Sequence, residues 1–241
     1  MSIPFSESTG NTGIVQQVRD MLRVDSTQYP TSRIVNSVNN YHDTVTGFAI
    51  GADRRFQWDD TNHSKLPIGT TNLVANQSDY SFLTDEQGNA ILNLTRIDIL
   101  DASGIYRQLA VIDQAQIDMA LDQYNIPAGL PLEYDKIADN IIRLYPKPAV
   151  SVTDGIKFYF QRTGSYFTAS DTTKSPGVAP ILHRGYVINA VYDALLAGIG
   201  SASLQAISIE KQIEEKKMEK YFGNRNTDEK LVMTAVPVNS M

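Results

Sequence analysis

Residues 30–48 read PTSRIVNSVNNYHDTVTGF. Ile34, Val38, Tyr41, Val45 and Phe48 recur in steps of four and three, which at 3.6 residues per turn puts all five on one seam of a helix. Asn36, Asn39, Asn40 and Asp43 fall off that seam. Pro30 suits a first turn, because the N–H it lacks would have had no acceptor within the helix. A seam this regular needs an apolar partner, and the rest of the chain offers three. Upstream, Ile14, Val18, Met21 and Leu22 form one stripe, so a helix is expected over Thr12–Val24. Downstream, an apolar face runs through Val187, Val191, Ala194 and Leu195 between Ile181 and Ile199, until Gly198, Gly200 and Ser201 interrupt it. A last helix is expected from Leu204 to Phe222, with Leu204, Ile207, Ile209 and Ile213 as its apolar side. Its later turns carry Glu210, Lys211, Glu214, Glu215, Lys216, Lys217, Glu219 and Lys220, a solvated face with local ion pairs. Gly223 fits a helix stop.

Between these helices the period changes from 3.6 to two. Phe56 and Trp58 alternate with Arg55, Gln57 and Asp59. Residues 85–89, DEQGN, read as a turn before a long strand from Ala90 to Leu100. Leu92 and Leu94 share one parity there, and Ile97 and Ile99 the other, so a bulge or bend is expected near Thr95. Asp101-Ala102-Ser103-Gly104 is a second turn, after which Ile105, Leu109 and Val111 continue at period two, predicting a hairpin. Asp113 with Gln116 reads as a capping box opening a short helix to Tyr124, broken by Pro127–Pro131. Ile142 and Leu144 belong to a strand that Pro146-Lys147-Pro148 stops. Ile156, Phe158 and Phe160 alternate with Lys157, Tyr159 and Gln161 in a further strand, and Thr168–Pro180 is a polar loop.

Helices, then strands, then helices predict an α+β fold. Residues 1–52 and 180–223 are expected to form a helical bundle, with residues 53–179 an inserted antiparallel β-rich domain. Residues 224–241 read as an extended C-terminal tail. The tail starts polar, from Asn224 to Lys230, and turns apolar at Leu231, Val232, Met233, Ala235, Val236 and Val238. A dispensable exposed tail would more often stay polar, and Pro237 opposes a helix, so these six residues are candidates for binding a partner in extended form; the reading set against it is a disordered end or packing on the chain's own domain. About eighteen residues at roughly 3.3 Å each reach about 60 Å, against a gyration radius of about 18 Å for a compact domain of this length.

Composition removes several classes of function. A hydrophobic fraction of 42% among 241 residues supports a sizeable core, and a charged fraction of 20% argues against wholesale disorder. With no cysteine there is no disulfide, thiolate metal site or cysteine nucleophile. The polar stretch from Met1 to Gly13 lacks a signal-peptide pattern, and no apolar run is long enough to span a bilayer; manufacture in the cytoplasm is expected. The sequons at Asn76 and Asn93 then read as chance matches. A formal net charge of −6 gives no overall attraction to phosphate backbones.

Catalytic patterns are missing as well. His42, His63 and His183 have no histidine partner at ligand spacing, and each reads as a solvent-facing or structural histidine. There is no phosphate loop and no nucleophile elbow; Gly198-Ile199-Gly200-Ser201 reads as a bend. Asp59-Asp60 and Asp98/Asp101 are the candidate carboxylate pairs for a hydrolase, but aspartates beside turns usually bond the local backbone. Arg54-Arg55 precedes Phe56 and Trp58 as a basic–aromatic pair, yet Asp53, Asp59 and Asp60 cancel its field. No enzyme activity, metal or cofactor is expected.

The order of the segments carries more than any one motif. Asp101-Ala102-Ser103-Gly104 is followed by Leu109-Ala110-Val111-Ile112-Asp113 and Gly129-Leu130-Pro131-Leu132-Glu133-Tyr134. Then come Ile142-Arg143-Leu144-Tyr145-Pro146-Lys147-Pro148 and Ile156-Lys157-Phe158-Tyr159-Phe160-Gln161-Arg162. A loop with Pro176 and Pro180 leads to a helix containing Tyr192-Asp193-Ala194-Leu195. From roughly Arg33 to Phe222 this succession resembles the head-to-tail adaptor, or connector, proteins of tailed bacteriophages, especially short-tailed ones. The resemblance implies a virion protein of the neck that forms a ring, usually twelvefold, beneath the portal. It implies the portal protein, neighbouring adaptor subunits, the tail nozzle and fibre proteins as partners. Genomic DNA would pass through the channel without sequence-specific binding, and no membrane is involved. It also implies a helical bundle bearing a β-rich insert, and no catalytic residues. The readings set against it are a receptor- or carbohydrate-binding tail module using Trp58 and tyrosines, and a cell-wall hydrolase using paired carboxylates.

Overall fold

The computed structural model describes residues 2–7, 9–52, 68–85, 88–113, 115, 117, 120–124 and 127–223. The architecture is α+β, as the sequence predicts. Two long stretches of helix flank the strands: α1 (Ile14–Leu22) and α2 (Thr31–Ala52) before them, α4 (His183–Leu196) and α5 (Leu204–Gly223) after. The strands are β1 (Ile68–Leu73), β2 (Asp79–Ser81), β3 (Ile91–Leu100), β4 (Tyr106–Gln108), β5 (Ala110–Val111), β6 (Glu133–Ala138), β7 (Ile141–Tyr145) and β8 (Val152–Arg162), with a single-turn helix α3 (Leu121–Tyr124) between β5 and β6.

The α2 seam is buried where the spacing puts it. Ile34, Val38 and Val45 are fully covered and Tyr41 nearly so, while Phe48 is half-buried against the same cluster. Helix α4 is buried almost all round, through Tyr186, Val187, Ile188, Ala190, Val191 and Ala194, because it packs on α1, α2 and α5 together. Gly185 of α4 leaves room for side chains of α2 and α5: a Cβ there would stand 2.7 Å from both the Tyr41 hydroxyl and the Met218 Cε. Helix α5 departs from expectation. It buries Ile207, Glu214, Met218 and Phe222 and turns Ile209 and Ile213 outward, both more than half exposed. The buried stripe runs along its whole length; the expected one used apolar residues from the first half only.

A strap of residues 2–7 precedes α1. The Phe5 N–H donates to the Lys174 carbonyl at 2.7 Å and the Ser6 N–H to that of Thr172 at 3.2 Å, so the strap lies alongside the 172–174 loop. Its Phe5 ring is fully buried and stacks on Phe167, centroids 5.1 Å apart. The Asn39 side chain clamps the same region: its Nδ2–H donates to the Phe167 carbonyl and its Oδ1 accepts the Phe167 N–H.

The strands form two four-stranded sheets, ordered β1-β8-β3-β4 and β2-β7-β6-β5. The expected bulge is present: the β3–β8 register shifts between Leu94 and Arg96, which moves Ile97 and Ile99 onto the buried face. A second shift, between Ile91 and Asn93, leaves Leu92 exposed rather than beside Leu94. The 101–104 turn closes the β3–β4 hairpin, held by the Gly104 N–H donating to the Asp101 carbonyl. The strand does not then continue in one sheet. The Leu109 N–H bonds the Ile97 carbonyl in the first sheet, and the Ala110 N–H bonds that of Leu132 in the second. β5 therefore crosses over and pairs with β6 in parallel, and the isolated Gly129–Pro148 bridge is parallel too, against the antiparallel pairing expected; the other named strand pairs are antiparallel. Only Leu109 of the expected row is buried; Ile105 and Val111 face solvent. Of the capping box, Gln116 lies outside the described residues; the Asp113 carboxylate accepts the Ala115 N–H, and among the described residues the α-helix of this stretch is the single turn of α3.

The buried apolar side chains fall into two clusters. One draws on residues 5–49 and 167–222 and holds the helices. The other draws on residues 73–160 and takes side chains from both sheets, with Phe82 against Phe158 at 4.4 Å. Phe167 and Val178 belong to the helical cluster, although both lie in the stretch read from sequence as β-rich. Each fully buried Leu, Ile or Phe contributes about 1.5–3 kcal/mol, so both clusters are large enough to matter.

Candidate interaction surfaces

Among the described residues, the histidines and the aspartate pair that could have carried chemistry are held in structural roles. His42 is buried, with Nδ1 2.8 Å from the Tyr186 hydroxyl and the ring edge-on to Phe167. Gly164 makes room for it, since a Cβ there would stand 1.9 Å from Nε2. His183 is buried at the start of α4. Its Nδ1 accepts the Ile3 N–H at 2.9 Å, and its Nε2 lies 2.9 Å from the Val178 carbonyl. A carbonyl only accepts, so Nε2 carries the proton and the ring is neutral. Burial pushes its pKa down. His63 lies outside the described residues, as do Arg54, Arg55, Phe56, Trp58, Asp59 and Asp60.

The Asp98/Asp101 pair is not assembled as an acid–base couple. Asp98 is buried and pairs with Arg96 at 2.6 Å. The Asp101 carboxylate accepts the N–H groups of Ile105 and Ser103 and pairs with Arg107. The Ile105 amide bond, helped by Arg107 and Ser103, holds its pKa down to about 2. Each carboxylate has its own guanidinium, and that of Asp101 also bonds the backbone of its own turn, as turn aspartates do. Among the described residues no group of three or more His, Asp or Glu converges as a metal ligand set, and no helix is long and apolar enough to cross a membrane.

On the outer face of the first sheet, Arg96 and Lys157 lie over the Tyr159 ring at 5.5 and 5.7 Å, and Lys157 also over Tyr106 at 5.1 Å. The Tyr106 hydroxyl donates to the Asp154 carbonyl. With cations on their faces, these tyrosines brace neighbouring strands and are poor platforms for a sugar or a base.

What remains are apolar surfaces. An apolar cleft of ≈ 190 Å³ opens at the end of β1, β3 and β8, lined by Leu73, Leu100, Leu130, Ala149, Val150 and Val152. Leu130 and Val150 stand on its rim, 42% and 62% exposed. The only charged side chain on it is Asp101, whose carboxylate is already occupied. Sequence reading passed over this cleft because its rim sits on loops beside Pro131 and Pro148; the available signal was apolar residues on proline-flanked loops. The second surface is the outer side of α5, where Ile209 and Ile213 are exposed one turn apart. The tail candidates Leu231, Val232, Met233, Ala235, Val236 and Val238 lie outside the described residues. No protein-family model matches the chain, and no curated protein compared with it matches.

Proposed function

We propose that this chain is a head-to-tail adaptor of a tailed bacteriophage: a non-enzymatic virion protein that joins its copies into a ring beneath the portal. The ring extends the DNA channel and carries the tail nozzle and fibres. In this reading residues 1–52 and 180–223 form the helical bundle, the β-rich middle is an insert, and residues 224–241 are a tail reaching a partner. One observation carries the reading. Both ends of the chain supply one helical cluster while the middle supplies a separate cluster of sheets, which is the arrangement implied by the resemblance of the 101–195 segments to adaptors. The binding of Asp98, Asp101, His42 and His183 in structural bonds favours an assembly role over hydrolysis. A net acidic chain suits a channel through which DNA slides, since each neutralised phosphate would strengthen retention by counterion release. The test is negative-stain microscopy of the purified chain, alone and mixed with the portal protein of the same phage. A ring seated on the portal is expected; a chain that never joins the portal, or that turns over cell-wall glycan, overturns the proposal.

A further inference from the structure

We infer that the apolar cleft at the end of β1, β3 and β8 seats the 231–238 segment of a neighbouring copy. The inference rests on the ring reading, because a ring closes through heterologous contacts in which one surface meets a different surface of the next subunit. The cleft has the size of an anchor site. A 150 Å³ apolar cavity in a protein admits benzene, so ≈ 190 Å³ admits one large aliphatic side chain. It has the wrong chemistry for a charged or polar ligand, since Asp101 is committed to Ser103, Ile105 and Arg107 and the other lining side chains are apolar.

The segment has matching chemistry. Residues 231–238 read LVMTAVPV. Val232, Thr234, Val236 and Val238 are β-branched and share one parity, a strong bias to extended backbone. In that conformation alternate side chains point the same way, so Leu231 and Met233 stand together on the other side. Met is unbranched and adapts to irregular pockets, which makes Met233 the anchor with Leu231 beside it on the Leu130–Val150 rim. The segment meets an outer strand, because β1 pairs only with β8 among the described residues; extended segments commonly dock on such strands. Pro237 has no N–H, so any main-chain pairing stops there. The seven polar residues from Asn224 to Lys230, at roughly 3.3 Å each when extended, allow a reach of up to about 23 Å beyond α5.

The chain has no cysteine, so disulfide trapping tests this directly. Two full-length chains with different tags are prepared, one Met233→Cys and one Val150→Cys, and oxidised together, free in solution and again with the portal present. The control replaces Val150→Cys by Leu83→Cys. Leu83 is 66% exposed and bonded to Ile91, at the opposite end of β3 from the cleft. Docking raises the local thiol concentration, so the mixed-tag disulfide is expected at least about tenfold faster with Val150→Cys than with the control in one of the two settings. Equal rates in both overturn the inference. A chain carrying both substitutions that closes an internal disulfide at a concentration-independent rate, with no mixed product, also overturns it, since the segment would then seat in its own subunit. A portal-bound ring seen by microscopy without the enriched link removes this inference and leaves the adaptor reading standing.

Discussion

At the scale of single residues, the two described histidines serve the fold in different ways. His183 is held neutral between the Ile3 N–H and the Val178 carbonyl, and burial lowers its pKa below the ordinary 6.5. Between that lowered value and 6.5 the unfolded chain binds a proton that the folded chain refuses. Its contribution is therefore complete above about pH 6.5 and is lost as pH falls through the unfolded value towards the folded one. Urea midpoints measured from pH 8 down to pH 5 should fall more steeply for the native chain than for His183→Gln. Asp193, whose pKa burial raises, acts in the opposite direction at lower pH, so the difference between the two chains isolates the histidine. His42 depends instead on space. Gly164→Ala drives a methyl into its ring and should cost about 1–3 kcal/mol, read as a lowered urea midpoint with unchanged slope. The sequence leaves each as a solvent-facing or structural histidine; that both are structural and buried is not legible in it, since His42 lies off the apolar seam and His183 merely near a helix start. Both depend on segments more than a hundred residues away.

At the scale of elements, a helix that reads clearly in sequence and one that does not make opposite predictions. The α2 seam is buried as spaced, so Val38→Asp places an unpaired charge in the helical cluster at a cost of several kcal/mol. Against a total stability of about 5–15 kcal/mol, soluble expression should fail. Ile209→Asp on the outer side of α5 should shift stability by no more than about 0.5 kcal/mol, by thermal denaturation. If Ile209 faced the core, as its spacing with Leu204 and Ile213 suggests, the two variants would fail alike. Periodicity misread α5 because a carboxylate lies in its buried stripe. Glu214 is covered but keeps a partner in Lys217, 3.1 Å away, and an apolarity count scores that position as surface. The bulge in β3, by contrast, was legible, since a change of parity within one strand has few other physical solutions. The crossover at Leu109–Ala110 was not. A two-residue strand leaves too little pattern to reveal which sheet it joins.

At the scale of the whole molecule, both buried clusters, among the described residues, end by Phe222. Ending the chain after Gly223 should therefore leave the melting temperature within a degree or two of the full chain and, on the adaptor reading proposed above, abolish ring formation on the portal. Calorimetry and negative-stain microscopy of the shortened chain check the two halves separately. The shared helical cluster has a further consequence during synthesis. Among the described residues its first contributors end at Ala49 and its next begins at Phe167, so 118 residues are added between them. At about 5–20 residues per second, the α1 and α2 seams wait on the order of ten seconds before α4 is made to cover them. The strands, whose cluster lies within residues 73–160, are finished first. The nascent chain thus carries a completed β core and two sticky helices at once, a natural substrate for a holding chaperone until α4 emerges.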